Sequence, residues 1–296
     1  MNLNIAFYGP WVPLGKKSSE TDVLLASHSS SEGVFSFAAP SMYPEKIHSL
    51  IMPAMMSNAA VVHYTPALQG STLGETIVLL DLLGKPGFFA VSEDADLGTL
   101  DAITKTTSLS QWARVPDDEV SIREEIKNFP ISPPDGPTKV IVDASFDVKS
   151  VGTVVLGLVQ SGSLNVYDKL TAYPSGKEAT VKSIQKQDKN FKTAEPNDRV
   201  GLSMKGVSVE DVPRGTLLSA EPIPSAKEFE AKVTLSPFAK ELPHDLHLCL
   251  GLQWGGVHLD GNKITSEKEW ALDGTGIIAH NAKPGGLRVL GRVDLL

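Results

Sequence analysis

Residues 151–174 read VGTVVLGLVQSGSLNVYDKLTAYP, and residues 179–188 read ATVKSIQKQD. The run 152–159 is bounded by glycine and rich in β-branched residues, which suit a strand. Two further runs, 170–173 and 179–182, flank Pro174-Ser175-Gly176. That is turn chemistry, so the pair is expected to form a hairpin. The hydrophobic period here is two, and no long helical pattern follows.

Working outward, Ile131-Ser132-Pro133-Pro134-Asp135-Gly136-Pro137 reads as a linker, placed at 131–138. A second composition shift falls at Glu221-Pro222-Ile223-Pro224-Ser225. Beyond it Leu246, Leu248 and Leu250 alternate with His247 and Cys249. At the C-terminus Leu287, Val289, Val293 and Leu295 are expected to face one way, with Arg288, Arg292 and Asp294 facing the other. The N-terminal part differs. Buried-strand runs at 59–64 and 87–91 enclose Thr72-Leu73-Gly74-Glu75, which reads as a capping box opening a helix over 73–83 that Gly84 stops. A helix between two such strands is a parallel β-α-β unit. The expected fold is an α/β, P-loop-like domain at 1–130 followed by two small β-barrels, at 139–222 and 226–296.

The 296 residues are 41% hydrophobic and 21% charged, with a net charge of −8. That composition suits a globular protein with several small cores. It disfavours a DNA partner or any nucleic acid held by bulk positive charge, though a local basic face remains open. The single cysteine, Cys249, permits no intramolecular disulfide and fits a reducing compartment. No signal-peptide pattern or membrane-length apolar run is present, so a cytoplasmic protein without a membrane partner is expected.

The first apolar run leads into GPWVPLGKKSS, residues 9–19. A phosphate loop reads G-x-x-x-x-G-K-[ST], so that backbone N–H groups wrap the phosphates, the lysine neutralises charge and the hydroxyl holds Mg²⁺. Keeping Gly15 and Lys16 leaves one residue too many after Gly9 and puts Lys17 at the hydroxyl position. Keeping Lys17 and Ser18 puts Trp11 and Lys16 at the glycine positions. Pro10 and Pro13 each remove a backbone donor. Either the lengthened loop still binds or it is vestigial, and the vestigial reading is the one adopted.

The segments 151–174 and 179–188, followed by AEPNDRVGLSMKGVSVEDVPRGTLLS at 194–219, resemble the second domain of elongation factor Tu and its relatives. The V-[KR]-S-[IL]-Q form is similar to the selenocysteine-specific elongation factor branch, and within it to archaeal factor-like proteins. The resemblance covers 138–220 and continues through 43–83 and 226–296. It implies a GTPase as the first domain, and hence three further motifs. The D-x-x-G switch belongs before Tyr43-Pro44, but Phe37-Ala38-Ala39-Pro40-Ser41-Met42 holds neither acid nor glycine. The N-K-x-D guanine reader belongs after 88–91, where Ser92-Glu93-Asp94-Ala95-Asp96 places a glutamate at the lysine position; Asp94 or Asp96 would remain for guanine. The span from Gly15 to Phe37 is short for a first switch. The resemblance thus implies a degenerate, pseudo-GTPase member with a vestigial nucleotide site at Gly9, Gly15, Lys16, Lys17, Ser18, Asp94 and Asp96. No cofactor is expected, with GTP and Mg²⁺ as the alternative should the site be active.

His244, His247, His258 and Cys249 are metal-ligand types, but with one thiol and no C-x-x-C pair they read as packing or surface residues, and no metal site or catalytic set is assigned. Lys182, Lys186, Lys189 and Lys192 concentrate positive charge in an acidic chain. They protect a strand edge or contact RNA, with Arg288 and Arg292 as further RNA candidates. The expected function is that of an elongation-factor-like protein with a degraded GTP site that binds the ribosome, tRNA or both. The alternatives are a residual GTPase elongation factor, and an adaptor that binds a protein partner through its first domain.

Overall fold

The computed structural model describes residues 2–31, 33–129, 135–239 and 241–296. The expected linker residues 131–134 lie outside the described residues. In chain order the first unit comprises β1 (Asn2–Tyr8), β2 (Lys16–Glu20), β3 (Val23–Ser30), β4 (Gly33–Pro40), α1 (Ile47–Met55), β5 (Ala59–Tyr64), α2 (Gly70–Leu83), β6 (Gly87–Val91), α3 (Leu97–Thr104), β7 (Ala113–Pro116) and α4 (Glu119–Lys127). The strands form one sheet in the order β2-β3-β4-β1-β5-β6-β7. Strands β4, β1, β5, β6 and β7 are mutually parallel, and helices cross between successive strands from β4 onward. Strands β2 and β3 are antiparallel additions at one edge. β1 and β5 are almost wholly buried, as strands covered on both faces must be.

The second unit is built from β8 (Lys139–Val148), β9 (Gly152–Ser161), β10 (Leu164–Asn165), β11 (Lys169–Tyr173), β12 (Lys177–Lys186), β13 (Lys189–Phe191), β14 (Thr193–Ala194), β15 (Arg199–Lys205) and β16 (Leu217–Ser219). β11 pairs with both β12 and β16, which closes β11-β16-β8-β9-β15-β12 into a six-stranded barrel and leaves β13 as a ribbon beyond β12. The hairpin expected across Pro174-Ser175-Gly176 is the β11–β12 pair. The third unit, β17 (Ser225–Leu235), β18 (Leu246–Leu250), β19 (Gln253–Asp260), β20 (Lys263–Ala271), β21 (Thr275–His280) and β22 (Val289–Leu295), is a closed barrel in the order β17-β20-β19-β18-β21-β22.

One apolar cluster runs through all three units. Ile47, Leu50 and Ile51 of α1 meet Ile141 and Leu217 of the first barrel and Leu252, Ile277 and Val289 of the second. The helical layer of the α/β unit therefore buries its face against both barrels. Among the described residues no helix is long and apolar enough to cross a membrane.

Helix α2 corrects one local expectation. It starts at Gly70 after Gln69, without a side-chain cap, and Thr72 Oγ1 donates to the Gln69 carbonyl at 2.7 Å. Glu75 closes no capping box; it is buried and faces Arg288 of the second barrel. Exposed first-turn N–H groups can be solvated, whereas a buried guanidinium needs a carboxylate. The expected stop holds: Gly84 takes the left-handed conformation at φ 60°.

Candidate functional site

In open parallel sheets ligands sit beyond the carboxyl ends of strands where chain order reverses, here the end of β1 between β4 and β5. A phosphate loop at that point continues into a helix whose N-terminus faces the anion. In this chain residues 9–15 run instead into β2, an exposed edge strand whose Lys16 and Lys17 pair with Ser27 and Ala26 of β3. The loop folds into the core. The Trp11 ring packs edge-on against Phe7 and Phe37 at 5.2 and 6.0 Å, and Leu14 is fully buried. The Leu14 N–H is taken by the Val12 carbonyl at 2.7 Å.

Three contacts pin this loop. His63 Nδ1 donates to the Pro10 carbonyl at 2.7 Å, while its Nε2 lies 3.0 Å from Asp117 Oδ2. Arg123 donates to the Leu14 carbonyl at 3.0 Å. Gly9, at φ 101°, presses on β5 so closely that a Cβ there would stand 2.3 Å from the His63 carbonyl oxygen. Four of the remaining expected nucleotide residues have side chains engaged locally. Lys17 pairs with Glu20, and Ser18 Oγ donates to the Leu25 carbonyl at 3.2 Å. Asp94 accepts from Ser92 Oγ at 2.7 Å. Asp96 caps α3, accepting from the Gly98 and Thr99 N–H groups, and the Thr99 hydroxyl and backbone bonds hold its carboxyl below the usual range.

The lysines of the loop and those of the barrel hairpin, far apart in sequence, meet across a cleft of about 990 Å³ between the first sheet and the first barrel. Lys16, Lys17 and Ser18 of β2 form one wall; Lys186, Lys189 and Phe191 of the β12–β13 ribbon, with Arg199 of β15, form the other. Gln187 and Asp188 turn the ribbon in left-handed conformations at φ 49° and 61°, and Ser29 Oγ bridges to Gln187 Oε1 at 2.7 Å. Lys186 bonds Asp198 at 2.8 Å and lies 4.3 Å from the Phe191 ring centroid. Lys16 and Lys189 carry no ion pair among the described residues. The cleft holds five Lys and Arg side chains against two carboxylates, Asp188 and Asp198. Glu20 offsets Lys17 and Asp143 offsets Arg199, which leaves the cleft with a small positive excess in a chain of net charge −8. Lys182, at a bulge in β12, and Lys192 are exposed but do not line this cleft.

Arg288 departs from its expected place. It precedes β22 and is 2% exposed, because its guanidinium crosses to the α/β unit and binds Glu75 through Nε (3.0 Å) and Nη2 (2.7 Å). Burial works against the charge, but the Glu75 carboxylate outweighs it and raises the Arg288 pKa. Arg288 therefore offers no charge to an RNA. Arg292 is partly exposed and pairs with Asp294 at 2.7 Å.

A second, partly buried relay joins the units. Arg199 binds Asp143 (2.7 Å), Arg214 bridges Asp143 (3.3 Å) to Asp22 (2.7 Å), and Asp22 faces His48 (3.3 Å). Asn4 and Asn58 also bond Asn197. Sequence reading missed these groups. The Arg214–Asp22 and Arg288–Glu75 partners stand 192 and 213 positions apart, so no local pattern announces them.

Cys249 is fully buried, and burial pushes its thiol up to about 12. His247 stacks on Trp254 at 5.0 Å. Among the described residues no group of three His, Cys, Asp or Glu is placed to hold a metal.

Residues 152–219 match the family described as elongation factor Tu domain 2. The chain is 35% identical over 270 residues to an uncharacterized protein of Methanocaldococcus jannaschii, covering 88% of this chain and 87% of that one. It is 32% identical over 133 residues to elongation factor 1-alpha of Metallosphaera sedula, covering 44% of this chain but 30% of that factor. Among solved structures, translation elongation factor SelB of Methanococcus maripaludis, in complex with the GTP analogue GppNHp, aligns with a TM-score of 0.81. The identity is 19%, over 99% of this chain and 78% of that one. A bacterial selenocysteine-specific elongation factor, EF-Sec, aligns with a TM-score of 0.76 at 16% identity, over 100% of this chain and 58% of that one. The two structures share this fold of an α/β unit followed by two barrels.

Proposed function

Because the chain belongs to the elongation factor Tu/SelB-like family of translational GTPases, we propose that it works in translation, in the cytoplasm, by binding RNA of the ribosome or a tRNA without turning over GTP. The observation that carries this reading is the cleft. It gathers the displaced lysines of the loop, Lys16 and Lys17, opposite Lys186 and Lys189, and adds an exposed aromatic, Phe191, on which a base can stack. The second half of the reading rests on residues 9–15. A loop packed on Phe7 and Phe37 and followed by a strand presents no helix N-terminus to a phosphate; Pro10 and Pro13 carry no N–H, and the Leu14 N–H is taken by the Val12 carbonyl. The α/β unit then acts as a fixed wall of the cleft.

The test is ribosome co-sedimentation and tRNA binding across a salt series, with wild type and the double variant Lys16→Gln/Lys189→Gln. Loss of two phosphate contacts lowers the slope of log K against log salt by about 1.4–1.8 and weakens binding at every salt concentration. An unchanged slope removes the cleft from the RNA surface. A protein-binding adaptor is the second reading, favoured by the outer edge of β2, which among the described residues has β3 as its only strand neighbour. A stoichiometric protein partner that survives ribonuclease treatment supports that reading over the first.

A further inference from the structure

A second cavity, of about 210 Å³, lies where all three units meet, and none of its lining is shared with the cleft. Lys85, just past α2, faces it together with Ile141 and Leu217 of the first barrel and Leu250, Asp273 and Arg292 of the second. Lys85 has no carboxylate partner among the described residues. Its acceptor is the Ser57 carbonyl at 2.6 Å, which uses one of three N–H donors. Burial alone pushes the amine down to about 8. The neighbouring charges are already engaged: Lys139 holds both oxygens of Asp273 at 2.8 and 2.9 Å, and Arg292 holds Asp294 at 2.7 Å. A partly buried cation lining a cavity without a counter-charge is unfavourable, and an anion entering beside it relieves that penalty.

We propose that this junction cavity binds a small monoanionic organic acid, with its carboxylate on Lys85 and Arg292 and its aliphatic body against Ile141, Leu217 and Leu250. The space equals about seven waters at roughly 30 Å³ each, well below that of a drug-sized site. Asp273 in the lining and Asp294 on Arg292 oppose a doubly charged phosphate. The leucine and isoleucine side chains favour hydrocarbon over a second polar group. A ligand touching all three units also stabilises their association by mass action.

Butyrate is the probe, titrated calorimetrically into the full chain and added in thermal unfolding, against Lys85→Met, which keeps the stem and removes the amine. Wild type is expected to bind butyrate saturably and unfold at a higher temperature with it. Lys85→Met is expected to bind at least tenfold more weakly. Wild-type affinity should fall about tenfold from pH 7 to pH 9, as the amine discharges through its value of about 8. Inorganic phosphate and butylamine should bind more weakly than butyrate. Equal butyrate affinity in Lys85→Met, no saturable binding in wild type, or tighter binding of phosphate each overturns the assignment. Should Lys85→Met not fold, Arg292→Gln makes the same comparison with the same expected loss.

Discussion

Replacing Glu75 by glutamine tests whether the α/β unit is held to the second barrel by a buried charge pair. The Glu75 carboxylate accepts from the Arg288 backbone N–H (2.7 Å), Nε (3.0 Å) and Nη2 (2.7 Å), and from the Tyr43 hydroxyl (2.8 Å). Both side chains are almost wholly excluded from water, at 2% and 3% exposure. An amide in that place keeps one good acceptor, turns an N–H₂ donor toward the guanidinium, and leaves a buried positive charge. Breaking such a pair costs about 3–5 kcal/mol, or roughly 5–8 °C in unfolding temperature for a chain of this size. The double replacement Glu75→Leu/Arg288→Met removes both charges. It should be more stable than Glu75→Gln, falling short of wild type by up to about 1 kcal/mol for each hydrogen bond left unmade at the backbone N–H of residue 288, the Tyr43 hydroxyl and the Pro44 carbonyl. Urea and thermal unfolding of wild type, both singles and the double complete the cycle. A Glu75→Gln variant within about 1 kcal/mol of wild type, or a double no more stable than the single, refutes the reasoning.

Titration of the protein with GTP and Mg²⁺ should give no dissociation constant below about a micromolar; a tighter one restores the residual-GTPase reading. Gly9→Ala should destabilise by about 2–3 kcal/mol, since its Cβ meets the His63 carbonyl at 2.3 Å with φ at 101°; an unchanged denaturation midpoint contradicts this. Burial raises the Asp22 pKa, but His48 and Arg214 outweigh it and hold the carboxyl below its usual range. Its contribution is therefore complete above the unfolded value of about 3.9 and lost as pH falls below it. The stability gap between wild type and Asp22→Asn should shrink from pH 6 to pH 3, and a constant gap counts against the pairing. Cys249 should resist a disulfide reagent at pH 8 in the native protein and react fully in denaturant; rapid native labelling would place it at the surface.

Patterns that act over a few residues were legible in the sequence. The glycine-bounded strand at 152–161, the hairpin across Pro174-Ser175-Gly176, the Gly84 stop and the buried runs of β5 and β6 follow from hydrophobic period and turn chemistry. So was the difference between residues 9–18 and the fixed spacing that a phosphate-loop motif demands. Tertiary structure decided where that loop went. Trp11 and Leu14 pack on the sheet, and the chain after Gly15 has an edge strand to join at β3, so a strand stands where a phosphate loop would continue into a helix. Glu75 shows the limit most clearly. Three residues after Thr72 it fits a capping box, yet a cap is worth about 1 kcal/mol, while an unpaired buried Arg288 is several times more unfavourable. The sequence determines which residues can make local bonds. Which distant partner claims them, whether Arg288 for Glu75 or Arg214 for Asp22, depends on what the folded chain buries beside them, because desolvation makes a long-range pairing outweigh a local one.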